Sequence, residues 1–260
     1  MCTRNGIAFR LVNPTIVPHL RCVERVRSKT DRSDAQLLHQ YGNREDIGED
    51  LPRDRCARET ASILSIYGLL QRNRIALQGG LDAYRREPLL PKALCSLLEE
   101  EIQRYKVFER DIIKLAGKTA EEGGRKEKLE ILKSIPGAGP VVALHLLVFF
   151  STFHDADRKK ITALAGLDPV QRESGISVRG KSRISKQGNA QLRKMLFQAT
   201  LSAARYNPPI REHYRQLRAA GKPDKVARIA AARKLLLLAL SIYRSERPFI
   251  SDPPVSGNDP

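Results

Sequence analysis

The stretch from residue 129 to residue 150, L-E-I-L-K-S-I-P-G-A-G-P-V-V-A-L-H-L-L-V-F-F, decides the fold of this chain. It holds apolar segments at 129–134 and 141–150 on either side of a glycine-rich turn at 135–140. Glycines allow a tight connection, and the backbone amides of a following helix can approach a phosphate. The stretch predicts a helix-hairpin-helix DNA-binding element with Gly137 and Gly139 at the phosphate. An ordinary glycine-rich connection between helices fits the same letters.

The charge balance favours a polyanionic partner. Lys and Arg number 46 against 29 Asp and Glu, which gives a formal charge of +17 and a pI near 10.0. A charge of this size is typical of proteins that work beside nucleic acid, with an anionic membrane surface as the second candidate. The apolar runs at 141–150 and 235–242 are far shorter than the roughly 20 residues that span a bilayer. With no secretory signal pattern at the start, we expect a cytoplasmic protein without a membrane partner.

Hydrophobic spacing predicts a mainly α-helical chain with four parts. Residues 1–52 combine a strand at 7–12 with a helix at about 30–41, as in an incomplete α/β domain. Residues 53–120 repeat apolar positions every three or four residues, which predicts a helical hairpin that packs on itself or forms a coiled coil with another copy. Residues 125–247 form a basic helical domain, with helices at 159–165, 185–206, 209–220 and 225–243. Residues 248–260 are rich in proline and predict a disordered tail.

The most basic stretch of the chain lies at 171–194, where seven cationic residues accompany a single acid, Glu173. Interspersed Ser, Gly and Asn add hydroxyls and free amides, so the stretch is suited to a phosphate backbone. A solvated basic loop is the alternative. With the glycine-rich turn included, the predicted nucleic-acid-binding residues are Gly137, Gly139, Arg172, Arg179, Lys181, Arg183, Lys186, Asn189 and Arg193.

Two carboxylates at the start of the second predicted element are candidate metal ligands. Asp31 and Asp34 stand three residues apart, on neighbouring positions of one helical face. Carboxylates so placed can share a divalent cation. The alternative is that Asp31 or Thr30 caps the helix while Asp34 stabilises its dipole.

Five motifs occur in an order that resembles one family. They are K-T-D-R-S-D-A at 29–35, S-I-P-G-A-G-P-V-V at 134–142, A-G-L-D-P at 165–169, E-S-G at 173–175 and R-G-K-S-R-I-S-K-Q-G-N at 179–189. Their order is similar to that of the Piv/MooV-like DEDD insertion-sequence transposases. The resemblance runs from about Ile7 to Phe249.

The resemblance implies a RuvC-like nuclease fold, a coiled-coil insertion and a C-terminal transposase domain. It implies DNA strand cleavage and transfer, with Asp31 and Asp34 as the last two of four Mg²⁺-binding acids and Ser174 as the nucleophile. DNA of the element ends and target is the implied partner, with an element-encoded guide RNA in some members. Homo-oligomers would form through the helical hairpin.

The first two acids of the family pattern would lie before the strand at 7–12, where residues 1–6 hold neither Asp nor Glu. We therefore expect residues 1–52 to be a truncated RuvC-like domain with an incomplete metal site. A non-catalytic nucleic-acid binder, or an inhibitor of a full-length transposase, is the alternative function. A helix-hairpin-helix protein of repair or chromosome organisation is a third reading, which leaves Asp31 and Asp34 unexplained.

Overall fold

The computed structural model describes residues 16–43, 54–86, 91–170 and 184–251, together with the backbone of residues 173–174, 178–179 and 183. The strand predicted at 7–12 and the last nine residues of the predicted tail lie outside the described residues. The helices are α1 (Ile16–Val23), α2 (Asp31–Gly42), α3 (Arg55–Tyr84), α4 (Lys92–Glu122), α5 (Lys126–Lys133), α6 (Pro140–Thr152), α7 (Arg158–Leu164), α8 (Ala190–Tyr206), α9 (Pro208–Ala219) and α10 (Asp224–Ser245). The short strands are β1 (Pro169–Val170), β2 (Glu173–Ser174), β3 (Val178–Arg179) and β4 (Arg183–Ile184).

The described part of the chain is mainly α-helical, which confirms the predicted fold class. The chain divides into two compact units, Met1–Arg53 and Asp54–Pro260. Within the described residues, no helix combines the length and apolar character that a membrane crossing requires.

The first unit contains α1 and α2, of which the sequence predicted only α2. Thr30 caps α2 through a capping box, in which its hydroxyl accepts from the amide of Ser33 at 3.2 Å. Arg21 of α1 donates from Nε to Asp34 Oδ1 at 2.9 Å, and this ion pair joins the two helices.

In the second unit α3 and α4 form an antiparallel hairpin, as the apolar spacing predicted. Arg74 pairs with the buried carboxylate of Glu109 at 2.7 Å, well inside the seam. At the open end Asp54 caps α3 and accepts from Arg125 at 2.6 Å. The hydrogen bond from the Ala57 amide and then the Arg125 guanidinium lower the pKa of Asp54. This ion pair therefore ties the start of α3 to the start of α5.

Helix α6 is the centre of the second unit. Its residues 143–147 are buried, and it packs against α3, α4, α5, α8 and α10. A helix that is apolar on every side is stable only when other elements cover it on all sides, as here. On α10, the buried alanines Ala227, Ala231, Ala232 and Ala239 allow close packing against its neighbours.

Two of the boundaries that differ from the sequence prediction have a clear structural cause. The helix predicted from residue 185 begins at Ala190, because Lys186 and Gly188 have φ angles of 58° and 122° that no helix accommodates. The tail predicted from residue 248 includes Phe249, whose amide donates to Ser134 Oγ at 2.8 Å and whose ring packs on the core. Contact with the end of α5 thus holds a segment that its composition marks as disordered.

His145 of α6 predicts an acid-dependent loss of stability. Its side chain is 8% exposed, its Nε2 has no partner among the described residues, and burial lowers its pKa to about 4. Unfolded histidine titrates near pH 6.5. As pH falls from about 6.5 to about 4, His145 therefore becomes protonated in the unfolded chain but stays neutral in the folded chain. This histidine costs roughly 1.4 kcal/mol of stability per pH unit in that window.

Urea unfolding of the parent and of His145→Leu, measured between pH 7 and pH 4.5, checks this prediction. The free energy of unfolding of the variant should fall less steeply as the pH is lowered. Parallel profiles would contradict the assignment of this loss to His145.

Candidate nucleic-acid interface

The turn between α5 and α6 has the geometry of a phosphate-binding helix start. The Ala138 amide donates to Ile135 O at 2.8 Å, and Gly137 takes a φ of 98° that favours glycine. Gly139 is the N-cap of α6, it is exposed, and no side chain caps the helix. The free amides that follow Pro140 are therefore open to an anion at the positive end of the helix dipole.

The two glycines of the turn serve different purposes. A Cβ at Gly137 would lie 2.7 Å from Cβ of Ala203 in α8, so this position must be glycine for packing as well as for its φ. A Cβ at Gly139 would meet nothing within 4 Å. Of the two predicted binding glycines, only Gly139 faces open space, while Gly137 seats the turn on α8.

Asn207 holds the turn from the other side, and sequence reasoning missed it. It is fully buried between α8 and α9, where its Oδ1 accepts from the Ile210 amide at 3.4 Å. Its Nδ2 donates to Pro136 O at 3.3 Å. The signal in the sequence is an asparagine directly before two prolines, which is typical of an N-cap with Pro at the first helical position.

A second tight turn, between α9 and α10, has the opposite electrostatics. Gly221 takes a φ of 75° there, and Asp224 begins α10. The Asp224 carboxylate accepts from Tyr214 Oη at 2.6 Å. A carboxylate at the helix start repels phosphate. Of these two turns, the one at α5–α6 is therefore the candidate for a DNA backbone.

The basic stretch contains a β-ribbon, which we call the arm (residues 169–184). The strands β1 and β4 pair antiparallel, with Val170 opposite Arg183, and β2 pairs with β3, with Glu173 opposite Arg179 and Ser174 opposite Val178. Along the sequence, two residues separate β1 from β2 and three separate β3 from β4. The sequence predicted a basic segment here without strands.

Four predicted binding residues lie in the arm: Arg172, Arg179, Lys181 and Arg183. Arg172 and Lys181 lie outside the described residues, as do the side chains of Arg179 and Arg183, and the roles of all four stay predictions. Lys186 follows the arm and is exposed.

The base of the arm is fixed by hydrogen bonds to neighbouring backbone. Ser185 Oγ donates to Asp168 Oδ1, and the Ser185 amide donates to Asp168 O at 3.0 Å. The Asn189 amide donates to Leu164 O at 2.9 Å, while its side chain caps α8. Arg193 Nη1 donates to Ala165 O at 3.1 Å. Asn189 and Arg193, both predicted to bind nucleic acid, thus have structural partners, and their binding roles stay predictions.

Asp31 and Asp34 both lie in the first turn of α2, as predicted. Asp34 accepts from Arg21, and the described residues hold no group of three or more His, Cys, Asp or Glu that could bind a metal ion. A Mg²⁺ ion prefers six oxygens in near-octahedral order. These two carboxylates, one of them paired with a guanidinium, do not by themselves fit such a site.

A basic helical unit with an uncapped, exposed helix start and a basic sequence in the arm is typical of nucleic-acid-binding proteins. Residues 129–215, from α5 into α9, match the model of the transposase IS116/IS110/IS902 family. This match covers both the turn and the arm. The match supports a function of the insertion-sequence transposase kind, in DNA transposition and recombination.

Proteins similar to this chain support the same function. The chain is 29% identical over 248 residues to a pilin gene-inverting protein of Moraxella lacunata, a match that covers 92% of this chain and 73% of that protein. It is also 29% identical over 133 residues to an insertion element IS116 protein of Streptomyces clavuligerus, covering 50% of this chain and 33% of that one. An insertion element IS900 protein of Mycobacterium paratuberculosis is 29% identical over 124 residues, covering 46% of this chain and 30% of that one.

Gly139→Asp separates the stability of α6 from phosphate binding at its start. Aspartate is a favourable N-cap, so the melting temperature should stay or rise. The added carboxylate would occupy and repel the phosphate site, and we expect the affinity for duplex DNA to fall at least about tenfold. Fluorescence anisotropy with a labelled duplex measures this change.

Ala93→Asp is the matched control, because it adds the same charge at an exposed position in the first turn of α4. This variant should bind within about twofold of the parent, since it changes the net charge equally. Equal losses in both variants would show that only net charge matters and would remove the turn from the interface.

Proposed function

We propose that this chain binds DNA of the element ends and target through the α5–α6 turn and the arm, and that it cleaves and transfers DNA strands with Ser174 as the nucleophile. The match to the transposase family model supports the reaction type. The free helix start at Gly139 and the fixed base of the arm support the mode of binding.

The backbone position of Ser174 is the observation that carries the proposal. Ser174 pairs with Val178 near the end of the ribbon, and Glu173 pairs with Arg179 beside it. A serine on a paired backbone, within a stretch whose sequence is rich in Arg and Lys, supports the proposal that a phosphodiester is bound beside it. Its neighbouring cations would stabilise the charge that develops on the phosphate oxygens.

The proposed reaction has two steps, cleavage of one strand and its transfer to another. Ser174 Oγ attacks the phosphorus, a new P–O bond joins the serine to DNA, and the P–O bond to one deoxyribose breaks. The serine proton passes to water, and the displaced deoxyribose oxygen takes up a proton. A hydroxyl of a second strand then attacks the phosphoserine, so that the strands are joined and the serine hydroxyl is regenerated.

The metal remains a proposal from the resemblance alone. Asp31 and Asp34 would be two ligands of Mg²⁺, but the described residues supply no third acid beside them. The complete set of four acids would be needed for the ion to contribute to the reaction.

The α3–α4 hairpin supports the proposal of a homo-oligomer. Ile66, Leu97, Phe108 and Leu115 are each about half exposed or more, between 51% and 62%. Large apolar side chains repeated along one hairpin are typical of an association surface. Leu97→Glu should lower the mass measured by analytical ultracentrifugation if this surface joins copies.

An element-encoded guide RNA, which the resemblance implies, would compete with DNA for the same basic surface in a filter-binding assay.

A covalent-adduct assay tests the nucleophile. DNA with the element ends is incubated with the parent, with Ser174→Ala and with Ser177→Ala, then denatured and resolved by size. Without its Oγ, Ser174→Ala should form no protein–DNA adduct while binding DNA within about twofold of the parent. Ser177→Ala removes a hydroxyl three residues further along and should react as the parent does.

Three outcomes of this assay distinguish a catalytic chain from a non-catalytic binder. Adducts formed by Ser174→Ala at the parent's yield, or lost in Ser177→Ala instead, would contradict the role of Ser174. A parent that binds the ends tightly but forms no adduct would contradict cleavage by this chain. That result would favour the non-catalytic binder or inhibitor, for which the exposed hairpin provides a contact surface.

A further inference from the structure

A small groove lies at the base of the arm, and the function proposed above does not say what it binds. Its volume is about 250 Å³, and Leu167, Ile184, Phe197 and Ile229 supply most of its apolar lining. This volume is slightly below the roughly 300–1,000 Å³ of sites for whole small molecules. The groove therefore suits one flat, mainly apolar group.

Cations surround this apolar lining. Lys186, Lys194 and Lys225 border the groove, and among the described lining residues there is no acid. Lys225 lies in the first turn of α10, where the helix dipole disfavours a cation. A phosphate at the groove would offer an opposite charge to this lysine and to Lys186 and Lys194.

The aromatic wall of the groove is held in place. The Arg228 guanidinium lies 4.0 Å from the centre of the Phe197 ring and donates to Phe197 O at 3.2 Å. Its Nε also reaches the buried Thr200 hydroxyl at 3.4 Å. Phe197 is thus fixed between α8 and α10, so a flat ligand would find a preformed wall and lose little free energy in ordering it.

We propose that this groove binds one unpaired nucleobase of the DNA that the arm engages. A nucleotide combines a flat apolar base with a flanking phosphate, which matches an apolar slot bordered by lysines. The apolar face of a partner protein fits less well, since three lysines would lose hydration without gaining an opposite charge. The inference rests on the proposed DNA binding and adds a preference for unpaired over paired DNA.

Three labelled duplexes of one sequence isolate the base. The first is fully paired, the second carries one bulged adenosine, and the third carries the same bulge without its base. The parent should bind the bulged duplex about tenfold more tightly than the other two, as expected when one base gains an apolar contact. The baseless bulge controls for flexibility and added phosphate. An RNA duplex with the same bulge distinguishes DNA from RNA as the source of the base.

Matched variants locate the effect. Ala190 is exposed, begins α8 and lines the groove, so Ala190→Trp fills the groove without disturbing the core. Ala219→Trp adds the same bulk at an exposed position on α9. In the same way Lys225→Ala removes a lysine of the groove, and Lys222→Ala removes an exposed lysine outside it.

We expect Ala190→Trp to abolish the preference for the bulge and Lys225→Ala to reduce it several-fold. Ala219→Trp and Lys222→Ala should keep it, and all variants should bind paired DNA as before. No preference in the parent, equal behaviour of Ala190→Trp and Ala219→Trp, or a preference confined to RNA would overturn the inference. If the chain still binds the fully paired duplex when the preference for the bulge is absent, the proposed function stands. A parent that bound neither paired nor bulged DNA would contradict both the inference and the proposed function.

Discussion

The close contact between Gly137 and Ala203 is the constraint on which the second unit depends. A Cβ at Gly137 would lie 2.7 Å from Cβ of Ala203, so the backbone of the turn is pressed against α8. Asn207 completes the contact by donating to Pro136 O. Because α6 is buried along its length, this turn is where its positive end can reach solvent, at Gly139. The turn that packs against α8 is thus also the turn that leaves the start of α6 exposed.

Helix α8 connects the other functional parts. Its first turn follows the arm and is capped by Asn189, and its middle contributes Phe197 to the groove. It also meets the hairpin, where a Cβ at Gly68 would come within 2.6 Å of Gln191 and where Lys194 donates to Gln71 at 3.2 Å. Association of copies through the hairpin would thus act on the helix that supports the arm.

Much of this architecture follows from local sequence rules. The helices α5 and α6 and the hairpin were predictable because apolar spacing and glycine punctuation are read within a few residues. The arm was not predictable, because its pairs of residues carry weak strand signals. The roles of Asn189 and Arg193 were hidden for a different reason: a polar residue in a basic stretch suggests an anion, and only the fold reveals a carbonyl partner such as Ala165 O. The groove around Phe197 joins residues from 167 to 232, a separation that no local pattern reports.

The central claim is that charge and a free helix start together bind the DNA backbone. The most direct measurement is the affinity of the whole chain for a paired duplex as a function of salt between 50 and 200 mM. If several phosphates are neutralised, affinity should fall steeply, by roughly a thousandfold for about six contacts, and the logarithm of affinity should decline linearly with that of salt. An affinity that stays constant over this range would contradict the account.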